Sequence, residues 1–402
     1  GALLSVLLLE GVYYFNYTGP EFNPNVLQLP LWGLIGWSSA RALRHGRLAD
    51  WGRLGLWAGL SLLAKYGAAV LLAPIGVFLL AHPKARHHLM KPGPYAAVLV
   101  GLVVLAPHLL WLWTHDFPTF GYALKRAGGV DNLLDHLLFP LRFALTQAQA
   151  LLPLGLLLLC LIGIKPGRQR VPSTVGGLDG AFLIVLALGP FVTMLSISAV
   201  FGLKLQSMWG TPMWCFIGLL AVAFLRPRLE ARAVRHFTAA WAVLFGLALA
   251  AFAGVMLAEP YVAAKGKRGH FPGAALATEI TERWHAATGR PLEFVIGRTW
   301  LAGNVSFYST DRPSVYIDGN PQASPWIDET TLVRHGGVLV WDAARDGAAV
   351  PAAFANRFPD AVVQPPLSLP WQTGAVLPPV EIGWAILEPA GPPLAASVGN
   401  RL

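Results

Sequence analysis

Charge is scarce in this chain. Only 13% of its 402 residues are charged, whereas 55% are hydrophobic, and the mean hydropathy is +0.53. That balance excludes an ordinary soluble enzyme and indicates a polytopic membrane protein. Acids are scarcer than bases, 21 against 30, which leaves a net charge of +9. A basic chain invites a nucleic-acid reading. Here the bases gather in short loops between apolar runs, as loop charges on the cytoplasmic side do, so no nucleic-acid partner is expected. Cysteine is nearly absent. Cys160 and Cys215 both lie in apolar runs and read as small buried hydrophobes rather than a disulfide or metal pair. No motif has metal-ligand spacing, and His87–His88 falls in a basic loop.

What is present is a series of apolar runs, and the most informative is Trp51–Pro83. It is apolar at nearly every position, yet Lys65 sits at its middle beside Tyr66 and Gly67. The run is too long for one pass and slightly short for two full ones, since a span needs ~20 residues. Arg41, Arg44, His45, Arg47 and Arg53 precede it; Lys84, Arg86, His87, His88 and Lys91 follow. With both flanks on the cytoplasmic side, two short helices meet near Lys65–Gly67 at the far surface. A lysine left at such a place lines a cavity or meets an anion. The alternative is a single tilted helix whose lysine snorkels.

The other runs predict spans over 1–15, 26–43, 94–114, 138–163, 180–200, 208–225 and 237–258. Placing loops 44–53, 82–93, 164–178 and 226–236 in the cytoplasm makes every connection cross an even number of times, provided that 54–81 is a hairpin. The loops on the other side are then 16–25, the Lys65 turn, 115–137, 201–207 and the tail from Glu259. The fold class is mainly α: a multi-span domain over 1–258, then a small extracytoplasmic α/β domain over 259–402. In that tail, helices are predicted near 273–288, 299–308 and 350–357, and strands at 292–297, 314–317, 337–343 and 381–387. Gly297, Gly303, Gly336 and Gly337 read as turns rather than a phosphate loop. Because Gly1 lies already inside an apolar run, the chain is expected to be a piece lacking its N-terminal portion.

The candidates for chemistry fall on the extracytoplasmic face. They are Glu21, Asn23 and Asn25, then Lys65 and Tyr66, then His108, Trp111, His115 and Asp116, and finally Lys204, Gln206 and Trp209. Cations, amides and aromatics gathered at a membrane surface suit an amphiphile with an anionic head. Lys65, Tyr66 and Lys204 are the candidates for a phosphate, the lysines acting as point charges. Asn23, Asn25, His108, Trp111, Gln206 and Trp209 are the candidates for the rest of the substrate. Each has a plainer reading: Asn23 and Asn25 as helix caps, the tryptophans, including Trp32 and Trp113, as an interfacial belt, Lys204 as an exposed juxtamembrane base, His115–Asp116 as a helix end, and Glu21 as a solvated acid. The loop acids Glu21, Asp116, Asp131 and Asp135 show no paired arrangement.

FNPNVLQLPLW (Phe22–Trp32), GLSLLAKYGAAVLLAP (Gly59–Pro74) and APHLLWLWTHDFPTF (Ala106–Phe120) together resemble the bacterial family 39 glycosyltransferases. These have the GT-C membrane fold and are related to protein O-mannosyltransferases and lipid A aminoarabinose transferases. WLAGNVSFYSTDRPSVYIDG (Trp300–Gly319) and SPWID (Ser324–Asp328) resemble the extracytoplasmic domain of a bacterial branch of that family. The resemblance implies an inner-membrane enzyme that takes a sugar from a polyprenyl-phosphate carrier, with inversion, and passes it to a glycolipid, polysaccharide or protein on the periplasmic side. It matches Lys65 to the family's lysine near the carrier phosphate. It places the catalytic acid in a first loop that has no counterpart here, leaving Asp116, His115 and Glu21 as weak candidates for catalysis. No cofactor is implied beyond the polyprenyl-phosphate sugar donor, and a divalent metal is left open. A transporter or flippase, or a non-catalytic binder, of a lipid-linked anion is the alternative. A transporter should show inverted repeats, and no clear internal repeat is seen.

Overall fold

The computed structural model describes residues 1–121, 128, 132–162, 176–227, 230–262, 266, 268–371 and 377–390. The chain divides into two compact units, Gly1–Phe252 and Ala253–Leu402.

The first unit is helical: α1 (Ala2–Leu9), α2 (Tyr13–Asn16), α3 (Pro24–His45), α4 (Leu48–Ala64), α5 (Ala69–Ala81), α6 (Pro92–Thr114), α7 (Asp135–Ala150), α8 (Leu152–Ile162), α9 (Gly177–Phe201), α10 (Ile217–Leu225) and α11 (Ala231–Val262), the last running past the boundary. Among the described residues, Pro92–Thr114, Gly177–Phe201 and Ala231–Ala258 are long and apolar enough to cross a membrane, and two bent pairs raise the number to as many as five. This is a multi-pass membrane protein.

Three spans differ from expectation. Residues 1–15 are not one helix, because α1 stops at Leu9 where Gly11 presses on the backbone of Leu154. The run 138–163 is two helices, α7 and α8, bent by 46° at the residues before Pro153, whose ring removes a helical N–H. The run 208–225 begins as a 3₁₀ segment, Ser207–Trp214, and bends by 49° into α10. Pro212 lies inside that segment, and Gly210 packs against the end of the Gln147 side chain, which a Cβ would have to displace.

The run around Lys65 forms the hairpin. α4 ends at Lys65, a 3₁₀ turn covers Tyr66–Ala68, and α5 leads back. Both flanks come to one end of the unit: the rings of Trp51 and His88 are 5.6 Å apart, and His88 Nε2 lies 3.1 Å from the Leu43 carbonyl. Arg44 joins the same end through Asp179 at the start of α9, at 2.9 Å. α4 lies against α6 through Gly55, Gly59, Ala97 and Gly101, small residues four apart on each helix. A Cβ on Gly55 would run into the Ala97 carbonyl, so close approach fixes glycine there.

The second unit is a sheet covered on both faces. Its strands are β1 (Phe294–Gly297), β2 (Ser314–Ile317), β3 (Gly337–Asp342), β4 (Val362–Val363), β5 (Leu367–Leu369) and β6 (Val380–Leu387). The order is β2-β1-β3-β6-β4, with β5 also on β6; β1, β2 and β3 are parallel and β6 is antiparallel to β3. Strand alternation separates two cores. Val295, Val338 and Val340 face Leu276, Ile280 and Trp284 of α12 (Gly273–Thr288) and Leu301 and Val305 of α13 (Thr299–Tyr308). Phe294, Ile296, Leu339 and Trp341 face Leu332 of α14 (Glu329–His335), Phe354 and Phe358. Short helices α15 (Ala343–Asp346) and α16 (Ala352–Ala355) complete the layer. Of the glycines read as turns, Gly303 lies mid-helix in α13 and Gly337 opens β3, since neither position needs a turn conformation.

Candidate functional site

At the end of the helical unit away from the Trp51–His88 contact, the hairpin break opens into a cavity of about 600 Å³, a size suited to a small-molecule headgroup. Its wall begins with the start of α3. Asn23 caps that helix, its Oδ1 accepting the Asn25 N–H at 2.9 Å, and Pro24 occupies the first helical position. Asn25, Gln28 and Trp32 then fall on one face, at i, i+3 and i+7, and all three line the cavity. Gln28 is 1% exposed and makes three hydrogen bonds. Its Nε2 donates to the Ser61 carbonyl at 2.8 Å, while its Oε1 accepts from Trp32 Nε1 at 2.7 Å and Ser61 Oγ at 2.5 Å. Ser61 O belongs to the last turn of α4 and already accepts the Lys65 N–H at 2.9 Å, so Gln28 adds a second hydrogen bond to a carbonyl at a buried helix end. The break at Lys65 is therefore a bonded feature of the fold.

Lys65 is half-buried. Its Nζ donates to Asn25 Oδ1 and stands 5.8 Å from the centre of the Trp209 ring. Both partners are neutral, and among the described residues Lys65 forms no ion pair. Tyr66 turns the other way, with its hydroxyl 2.5 Å from His108 Nε2 and 3.0 Å from Thr119 Oγ1. From His108 an aromatic ladder runs along α6: Trp111 is 5.9 Å from His108, and His115 is 4.8 Å from Trp111. His115 Nδ1 also lies 2.8 Å from the Trp111 carbonyl. Met194, Met208 and Met213, three of the chain's five methionines, line the rest of the cavity. Methionine suits a wall that must fit a flexible apolar ligand.

The structure thus brings Asn23, Asn25, Lys65, Tyr66, His108 and Trp209 to one cavity, with Trp111 and His115 stacked behind His108. It does not bring Lys204 or Gln206 to the lining; Lys204 is exposed on the segment after α9. Glu21 is exposed, its carbonyl accepting from Asn23 Nδ2 at 2.8 Å. Asp116 is exposed too, with a positive φ of 55°. Asp135 is buried at the start of α7 and accepts from the Asn132 N–H at 3.2 Å. Asp131 and the basic stretch Lys165–Arg170 lie outside the described residues. Gln28, Ser61, Thr119 and the three methionines were not legible as site residues. The spacing of Gln28 from Asn25 is the one local signal that could have found any of them. Among the described residues, no group of three or more His, Cys, Asp or Glu gathers to hold a metal ion.

A sequence model described as dolichyl-phosphate-mannose-protein mannosyltransferase matches residues 1–111. This stretch is similar to that family. It is rather more than a quarter of the chain, and it contains Asn25, Gln28, Lys65, Tyr66 and His108. No curated protein and no solved structure matches the chain.

Proposed function

We propose that this chain is a membrane glycosyltransferase of the GT-C type, moving a sugar from a polyprenyl-phosphate carrier to an extracytoplasmic glycolipid, polysaccharide or protein. The observation that carries this reading is the Lys65 ammonium, held in a cavity by a neutral amide and a ring face, with no counter-ion among the described residues. The similarity of residues 1–111 to a mannosyltransferase family supports it. In the transfer, an acceptor oxygen attacks the anomeric carbon, the bond from that carbon to the phosphate oxygen breaks, and the carrier phosphate leaves with the electron pair. The phosphate goes from one negative charge to two, so an ammonium beside it binds the transition state more tightly than the ground state. Asn25 orients the ammonium, and Trp209 stacks on the sugar. Among the described residues no carboxylate lines the cavity; the proton of the acceptor goes to a general base. His115, at the outer end of the ladder, positions the acceptor. Exposed Lys204 has no part in this scheme.

The test is transfer from a radiolabelled polyprenyl-phosphate sugar to a membrane extract, using the purified full-length gene product. Lys65→Ala is expected to lower transfer more than about tenfold, or ~1.4 kcal/mol of barrier. Transfer that survives the substitution makes Lys65 a snorkelling lysine. Carrier lipid that binds without any transfer points to the transport or binding reading.

A further inference from the structure

The second unit carries a cavity of its own, about 470 Å³, and it stands where a parallel sheet offers a binding crevice. β1 connects through α13 to β2 on one side, and the chain then returns to β3 on the other side of β1. The strand order therefore reverses between β1 and β3, and the crevice outside their carboxyl ends is where such sheets bind ligands. Arg298 follows β1, Asp318 follows β2, and Arg345 and Asp346 follow β3; all four line the cavity, with Pro351 and Phe354 as its apolar wall.

The charges there are present but loosely matched. Asp346 lies 3.6 Å from Arg298 and 3.7 Å from Arg345, both beyond hydrogen-bond reach, although only 18% of its side chain is exposed. Arg298 is also the N-cap of α13, a position where a guanidinium cannot accept a hydrogen bond, and no side chain caps the helix. Asp318 holds φ at 52°, an uncommon conformation for a residue with a side chain, and turns the chain at the rim. Two guanidiniums suit an oxyanion, and two carboxylates suit hydroxyl donors.

We propose that this crevice binds a small sugar carrying a carboxylate or phosphate, its oxyanion on Arg298 and Arg345 and its hydroxyls on Asp318 and Asp346. The site lies within the second unit, and its test does not depend on the transfer reaction. Glucuronate, glucose 1-phosphate and neutral glucose are titrated by calorimetry into the detergent-purified full chain. At least one anionic sugar is expected to bind saturably, and glucose is not. Arg298→Gln and the cavity-filling Ala353→Trp should each weaken binding at least tenfold, while Lys65→Ala leaves it unchanged. The near-ultraviolet signal of the buried tryptophans checks that each variant is folded. Failure of both anionic sugars to bind overturns the proposal. So does binding that persists in both second-unit variants, or binding that Lys65→Ala abolishes.

Discussion

Asp50 and Lys65 stand at opposite ends of one helix, α4, and the chain treats them in opposite ways. Asp50, in the first turn, is 1% exposed, and its Oδ1 accepts from Arg41 at 2.9 Å and Arg53 at 2.8 Å. Its charge is matched within the protein, and its place at a helix N-terminus adds a favourable dipole. Lys65, just past the last turn, meets an amide and an aromatic ring. A buried charge with ionic partners holds structure together; a buried charge with neutral partners is left over for a ligand. The comparison separates a residue that fastens helices from one that we propose meets an anion.

The contrast gives paired expectations. Lys65→Met should reduce sugar transfer more than tenfold while leaving the thermal melting of the detergent-solubilised protein unchanged, because no internal ion pair is lost. Asp50→Ala should do the reverse. It strands two guanidiniums at the basic end, and the melting temperature should fall by several degrees, with transfer per folded molecule retained. If Asp50→Ala spares stability and Lys65→Met destroys it, the assignments are exchanged. Gln28→Ala lies between them. Loss of three buried hydrogen bonds leaves the Trp32 N–H and the Ser61 hydroxyl without their acceptor, while the Ser61 carbonyl keeps the Lys65 N–H; the expected destabilisation is about 1–3 kcal/mol, with a smaller loss of transfer as the Lys65 turn loosens. Chemical denaturation of the variant checks the magnitude.

The smallest effect concerns the second unit, whose stability depends on acids in a different manner. The Tyr316 hydroxyl, and then the Arg357 guanidinium, hold the Glu329 carboxyl below its usual value of 4.5. Hydrogen bonds from Thr331 and Thr330 likewise hold Asp328 below 3.8. A carboxylate with a lowered folded-state pKa contributes stability above its unfolded value and loses it as the pH falls through the folded one. Acid unfolding of this unit should therefore steepen below about pH 4.5, the unperturbed glutamate range. Glu329→Gln should flatten that region slightly. A pH profile unchanged in the variant would show that these bonds do not contribute.

Much of the architecture was legible because it follows from local pattern. A single lysine in a long apolar run, flanked by bases at both ends, was enough to place the hairpin break, and the contact between Trp51 and His88 closes it. In the second unit, the short apolar runs LEFVIG, SVYI and GVLVWDA, alternating with helix-like stretches, marked the strands, though not which of them pair in parallel. The bends at Leu151 and near Pro212 were less visible, since apolar composition alone does not distinguish a straight span from a bent one. The site was half legible. Asn25, Lys65 and His108 could be named from their chemistry, but Gln28 and Ser61 are 33 residues apart and their bond exists only once α3 and α4 pack. Lys204 is placed differently. It shares its chemistry with Lys65 and its predicted side with the cavity, yet the turn after α9 leaves it exposed. Residue type and sidedness select candidates; long-range packing decides among them.

The most direct test of the Lys65 site compares two ligands that differ only in charge. A short-chain polyprenyl phosphate and the corresponding neutral polyprenol are titrated into the purified wild-type protein and into Lys65→Met. The account predicts that the wild type prefers the phosphate at least tenfold, about 1.4 kcal/mol, and that Lys65→Met binds both ligands alike with the affinity of the polyprenol. A preference for the phosphate that persists in Lys65→Met would contradict it, and would place the anion site away from the hairpin break.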